Sequence, residues 1–155
     1  MSITTRLAEL GIELPPVVPP VAAYVPAVVH GDLVYTSGQL PMVSGALPAT
    51  GKVGEGHGLV PASDAKAYAR QSALNAIAAA ADAVGGVDRL VRVVKVTGFV
   101  ASVPEFTGQP GVINGASETL GEIFGDAGRH ARSAVGVPVL PLDSPVEVEV
   151  VFAWE

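Results

Sequence analysis

Near the C-terminus the chain alternates strictly, Val146-Glu147-Val148-Glu149-Val150. A period of two predicts a strand that buries its valines and turns both carboxylates to the other face. The same kind of reading gives a strand over Leu90–Val103, with Leu90, Val94, Val96 and Val100 on one parity and Pro104 as its end. Two shorter apolar runs, Val25–Val29 and Leu33–Ser37, flank His30-Gly31-Asp32 and read as a hairpin. Arg132–Val137 and Val146–Phe152 are the last two strands, joined through Pro138, Pro141 and Pro145. Helical spacing appears in three places. Residues 2–10 carry Ile3, Leu7 and Leu10 on one face, with Gly11 placed as a C-cap. Pro61–Val84 is the longest, with Ser63 as the expected N-cap and Gly85-Gly86 as the stop. Its alanines at 65, 69, 73, 76 and 80 form a face small enough for close approach to a sheet. A further helix spans about Pro110–Phe124, with Ile113, Leu120, Ile123 and Phe124 as core positions.

After the first helix the order is β-β-α-β-α-β-β, which predicts an α+β domain with two helices packed on one face of a mixed sheet. Residues 1–20 form a helix followed by an extended arm, since Leu14-Pro15-Pro16-Val17-Val18-Pro19-Pro20 cannot continue a helix. Residues 21–155 form the body. The glycine-rich, polar stretch from Met42 to Gly58 is a loop long enough to expect a functional or mobile role.

Composition narrows the possible chemistry. The chain is 49% hydrophobic and only 15% charged, so much of its surface is apolar or covered, as in an oligomer. A net charge of −6 and scattered basic residues argue against nucleic acid. With no cysteine there is no disulfide, thiolate site or catalytic thiol. His30, His57 and His130 lack metal-ligand spacing, so no metal is expected, and no cofactor motif stands out. Gly54, Gly56 and Gly58 follow no strand and open no helix, which removes a nucleotide loop. The N-terminus carries charges and has no long apolar stretch, so a cytoplasmic location is expected.

The candidate chemistry lies on the last two strands. A pairing of Val137 opposite Val146 would set Gly136 against Glu147 and Ala134 against Glu149, with Arg132 on the carboxylate face. A guanidinium beside acids on a floor of small residues leaves room for a small anion. A solvated strand face with a cross-strand ion pair is the simpler explanation of the same spacing. Gly38, after an apolar strand, either lets a backbone N–H approach a ligand closely or marks an ordinary strand end. Tyr24 either faces a cleft or closes the core; Asn114, in a helix where Asn is mildly unfavourable, either caps the preceding chain or points into a site; His130 either perturbs the charge at Arg132 or, as is commoner for a loop histidine, is solvated.

These fragments together resemble the Rid/YjgF (reactive intermediate deaminase) family. The resemblance rests on Tyr24 after a proline-rich start, Tyr35-Thr36-Ser37-Gly38-Gln39-Leu40-Pro41, Asn114, Ala131-Arg132-Ser133, Pro141 and Val146-Glu147-Val148-Glu149. It covers about residues 20–155, and the N-terminal extension resembles a longer branch of the family. It implies a chorismate-mutase-like fold, a homotrimer around a central barrel, and three clefts between subunits. It also implies that Arg132 binds a substrate carboxylate and Glu147 positions or activates water. Tyr24, Ser37, Gly38 and Asn114 would shape the cleft, and Ala134 would offer backbone groups where many relatives carry cysteine. The implied activity is hydrolytic deamination of small enamines or imines such as 2-aminoacrylate or 2-iminopropanoate, giving 2-oxo acids and ammonia. A non-catalytic carboxylate-binding or regulatory protein, and a deaminase of a larger substrate, remain alternatives. Ala23, Gly136 and Pro138 depart from the family pattern and bear on the substrate more than on the fold.

Overall fold

A computed structural model describes residues 1–155. The elements are α1 (Ile3–Leu10), β1 (Ala27–His30), β2 (Leu33–Thr36), α2 (Ala62–Val84), β3 (Leu90–Ala101), α3 (Gln109–Phe124), β4 (Ala131–Val137) and β5 (Val146–Trp154). This is the α+β order that the periodicities predict. No helix is long and apolar enough to cross a membrane.

Helix α1 begins at Ser2, whose hydroxyl accepts from the Thr5 N–H at 3.0 Å, and ends at Gly11 in the left-handed region (φ +66°). Leu7 is buried, and Ile3 and Leu10 pack against the core beside it. The helix is fastened to the body by Asp88, which accepts from Thr4 N–H and Oγ1, both at 2.8 Å. Those bonds hold the Asp88 carboxyl below its ordinary value. Helix α2 starts two residues earlier than its serine predicts: Pro61, not Ser63, occupies the N-cap, and no side chain caps it. All five predicted alanines are fully buried, and α2 packs on α3 as well as on the sheet. The two helices touch closely because Gly115 has no side chain; a Cβ there would overlap the Lys66 carbonyl.

The sheet order is β1-β2-β5-β3-β4. The β1–β2 hairpin turns at Gly31 (φ +62°) and Asp32, between the facing pair His30 and Leu33. Strand β5 runs antiparallel to both β2 and β3, so it fills the centre. Strand β4 instead pairs parallel with β3, from Lys95 opposite Ala131 to Ala101 opposite Val137. The expected pairing of Val137 with Val146 therefore does not occur. Two parallel neighbours need a crossover, and α3 supplies it as the helix of a β-α-β unit. The proline-punctuated segment 138–145 then carries the chain past β3 to the sheet's centre.

Valines 146, 148 and 150 and Phe152 face the helices, as the alternation predicts. Strand β3 keeps no single parity. Register shifts between Leu90 and Arg92 and between Val93 and Lys95 bury Val93 and expose Val94. A bulge inserts a residue, so the side chains beyond it swap faces. The loop 42–58 is tied down in its second half: the Val53 N–H donates to Ala101 O at 2.7 Å and Val53 O accepts from Val103 at 3.1 Å. Val53 itself is fully buried.

Candidate active site

Register settles which face each candidate side chain occupies. Arg132 pairs with Val96, which is fully buried beneath the helices. Arg132 therefore points to the helix face, not to the carboxylate face. Glu147 lies between the buried Val146 and Val148 and opposite Phe99, on the face that no helix covers. Because β3 separates β4 from β5, Arg132 and Glu147 diverge within one chain. The expectation that they share a face is wrong. Parity along β4 and β5 was legible, whereas the identity of the strand beside each was not.

The first group of residues gathers where β4 meets α3. One guanidinium nitrogen of Arg132 donates to Asn114 Oδ1 at 2.8 Å and to Ser117 Oγ at 3.2 Å. Asn114 and Ser117 are one helical turn apart on α3, so they present both oxygens to the same point. His130 extends the chain of bonds, with Nε2 2.9 Å from Ser117 Oγ and Nδ1 2.6 Å from the Gly128 carbonyl. A carbonyl can only accept, so Nδ1 carries the hydrogen. Nε2 then accepts from the Ser117 hydroxyl, whose oxygen accepts from Arg132. His130 is thus a half-buried structural partner and not a solvated loop histidine. Ser117 escaped the sequence reading altogether; its spacing of three from Asn114 was the available signal. Ala134 also belongs here, opposite Gly98 and half-buried on the helix face.

The ion pairs of the chain are Arg6–Glu9, Lys66–Glu118, Arg70–Glu122 and Arg129–Asp126. None involves Arg132. Its guanidinium is oriented by neutral oxygens and keeps its full charge for an outside anion. A planar guanidinium fixed in this way suits a carboxylate, which it can grip through two N–H groups at once.

The second group lies at the other side of β5. After β2 the chain passes through Ser37, Gly38 and Gln39, held by reciprocal backbone bonds between Gln39 and Val148 at 2.8 and 3.0 Å. Ser37 Oγ donates to Val25 O at 2.6 Å, which ties this segment to the stretch that leads from Tyr24 into β1. Gly38 has a strict steric reason: a Cβ there would overlap Glu147 Oε1. Glu147 therefore lies directly across the Gly38 backbone. Its carboxyl is raised above the ordinary value, chiefly by burial and then by repulsion from Glu149. A carboxyl shifted toward neutrality is suited to exchange protons.

Next to this group is a cleft of about 560 Å³, bordered by Tyr24, Ser37 and Gly38 on one side and the proline arm on the other. The arm thus has a position beside the candidate site. Tyr24 is 59% exposed at the rim, where it faces the cleft and closes no core. At Gly136 a Cβ would meet the Gln109 and Ser102 side-chain atoms that hydrogen-bond each other beside it.

Comparison with known proteins agrees with this architecture. Residues 4–154 match the family described as "YjgF/chorismate_mutase-like, putative endoribonuclease". Protein TCP17 of Trypanosoma cruzi is 41% identical over 150 residues, covering 95% of this chain and 91% of that protein. The crystal structure of Atu1372 from Agrobacterium tumefaciens, of unknown function, superposes with a TM-score of 0.85 at 41% identity, covering 99% of this chain and 94% of that one. Escherichia coli TdcF, solved with bound serine, superposes with a TM-score of 0.64 at 26% identity, covering 92% and 94%. The match runs through both groups of site residues and almost the whole length of the chain, which belongs to the YjgF/chorismate-mutase-like family.

Proposed function

We infer that the protein hydrolyses small carboxylate-bearing imines or enamines to 2-oxo acids and ammonia, in clefts shared between copies of the chain. The observation that carries this reading is the unpaired guanidinium of Arg132, held open by Asn114 and Ser117. It supplies an anchor for a substrate carboxylate. Glu147, with its raised carboxyl against Gly38, supplies the proton-handling group. The two diverge within one chain, so a complete site takes Arg132, Asn114 and Ala134 from one copy. Tyr24, Ser37, Gly38 and Glu147 come from its neighbour. The uncovered sheet face supports assembly, since Val28, Tyr35 and Val135 are exposed there at 54%, 41% and 44%. We take the assembly to be a homotrimer that closes these faces around its axis.

The chemistry balances without a cofactor. Arg132 fixes the carboxylate of an iminium, R–C(=NH2⁺)–COO⁻, and so orients its electrophilic carbon. Glu147 takes a proton from water as the C–O bond forms, giving a carbinolamine. It returns the proton to nitrogen as the C–N bond breaks, leaving R–CO–COO⁻ and ammonium. An enamine substrate is first protonated at carbon and then follows the same course.

A second reading, a carboxylate-binding protein without turnover, draws on the serine held by TdcF, which uses a carboxylate but no imine. RNA cleavage, named in the family description, is disfavoured by a net charge of −6 without a basic stripe. A coupled assay with freshly generated 2-iminopropanoate separates these readings. Wild type accelerates release of the 2-oxo acid, and Arg132→Ala lowers kcat/KM by about 10²- to 10³-fold, the expected cost of losing a charged anchor. Equal rates for the two proteins would end the deaminase reading. Saturable binding of pyruvate without turnover would establish the second.

A further inference from the structure

The cleft beside Gly38 is far larger than a three-carbon imine needs. Its volume of about 560 Å³ lies within the range of about 300–1,000 Å³ that drug-sized ligands occupy. The proline arm lines it through Pro15, Pro16, Val17 and Val18, together with Met42 and Ala79. No charged residue lines it.

Of the polar side chains at its edge, Ser37, Gln39 and Asn75 are already engaged, which leaves the Tyr24 and Ser44 hydroxyls free. Ser37 Oγ donates to Val25 O at 2.6 Å, and Gln39 Nε2 donates to Ser37 O at 3.1 Å. Asn75 Nδ2 donates to Leu40 O and Met42 O at 3.0 and 3.1 Å, while its Oδ1 accepts from Gln71 at 3.0 Å. Such a lining offers contact area and few free hydrogen-bonding groups. It rejects a charged or richly polar guest, which would lose its hydration without compensation.

We propose that this arm-lined cleft is a side-chain subsite, and that the protein's substrates are 2-imino acids with an uncharged, branched or aromatic apolar side chain. The proposal rests on the deaminase reading, because it places the reacting carbon at Glu147, against Gly38, which borders the cleft. From there the carboxylate reaches toward Arg132 of a neighbouring copy, and the side chain runs the other way, under the arm. The arm then has a role in specificity: it converts an open groove beside Ser37 into a walled pocket.

The test uses the full-length protein and imines generated in place from alanine, leucine and phenylalanine by an amino-acid oxidase. Each buried methylene is worth about fourfold in affinity, so kcat/KM for the leucine-derived imine exceeds that for the alanine-derived one by about tenfold or more. Val17→Trp, in a stretch of arm outside any helix or strand, fills the cleft and abolishes that preference while leaving the alanine-derived imine unaffected. Calorimetry with 4-methyl-2-oxopentanoate and pyruvate, on both proteins, gives a readout independent of turnover. Tighter binding of the branched acid, lost in Val17→Trp, supports the subsite even if no imine is hydrolysed, in which case only the deaminase reading fails. A preference that is absent, or that survives Val17→Trp, overturns the subsite and leaves the deaminase reading standing. A change of oligomeric state in Val17→Trp by sedimentation also overturns it, since the cleft would then hold a neighbouring chain.

Discussion

The two halves of the candidate site are built on opposite principles. Around Arg132 each polar group has a partner: guanidinium to Asn114 and Ser117, Ser117 to His130, His130 to Gly128 O. Around Glu147 the carboxylate is crowded by Gly38 and Glu149, and its shift is set by burial and repulsion, with no hydrogen bond to hold its charge. A satisfied network keeps a charge fixed and oriented, whereas an unsatisfied carboxyl moves toward neutrality and gains the ability to trade protons. On the proposed reading, one half holds the substrate and the other reacts. Their separation across β3 makes each incomplete by itself.

That contrast can be broken at several points. Glu147→Gln acts on the reactive half and is expected to lower kcat by about 10²- to 10⁴-fold, with KM little changed, as measured in the iminopropanoate assay. Wild-type activity should also fall on acidification at a pH above the ordinary glutamate range, because Glu147 must be ionised to take a proton from water. Gly38→Ala pushes the Glu147 carboxylate aside without touching Arg132. A displacement of about 1 Å costs on the order of 10²-fold in kcat/KM, while the melting curve stays close to wild type. Ser117→Ala acts on the holding half and is expected to raise KM by about tenfold with kcat preserved, since a hydrogen bond to a charged group is worth about 1.5–3 kcal/mol. An unchanged KM would show that Asn114 alone orients the guanidinium.

The smallest effect concerns stability. A carboxyl whose folded-state pKa is raised above its unfolded value favours the fold at low pH and costs stability as pH climbs through the folded value. Glu147→Gln removes that cost. It should therefore melt slightly above wild type at neutral pH and level with it below the ordinary carboxylate range. A lower melting temperature at neutral pH would mean that Glu147 has a stabilising partner after all.

The sequence carried the local order of the fold and lost its long-range pairing. The Val-Glu alternation placed Glu147 on the uncovered face correctly, and the buried alanines of α2 followed from spacing alone. The β3 bulge left no mark in composition, so Val94 and Val93 changed places. The pairing of β4 mattered more. Strands adjacent in sequence were taken to be adjacent in space, although a helix between β3 and β4 already described a parallel unit. That one error rotated Arg132 onto the wrong face. The motif residues Ser37, Gly38, Arg132 and Glu147 could be picked out in the sequence, but the divergence of Arg132 and Glu147 within one chain could be read only from the sheet.

Mixing two inactive variants tests the shared cleft most directly. Arg132→Ala and Glu147→Gln are each expected to be nearly inactive as pure proteins. Co-expressed in equal amounts, they form mixed assemblies in which about a quarter of the clefts pair an intact arginine from one chain with an intact glutamate from its neighbour. Recovery of about a quarter of wild-type activity is the predicted result. If the mixture stays as inactive as its components while sedimentation shows that the chains have mixed, the two residues do not meet across a subunit boundary, and the account is contradicted.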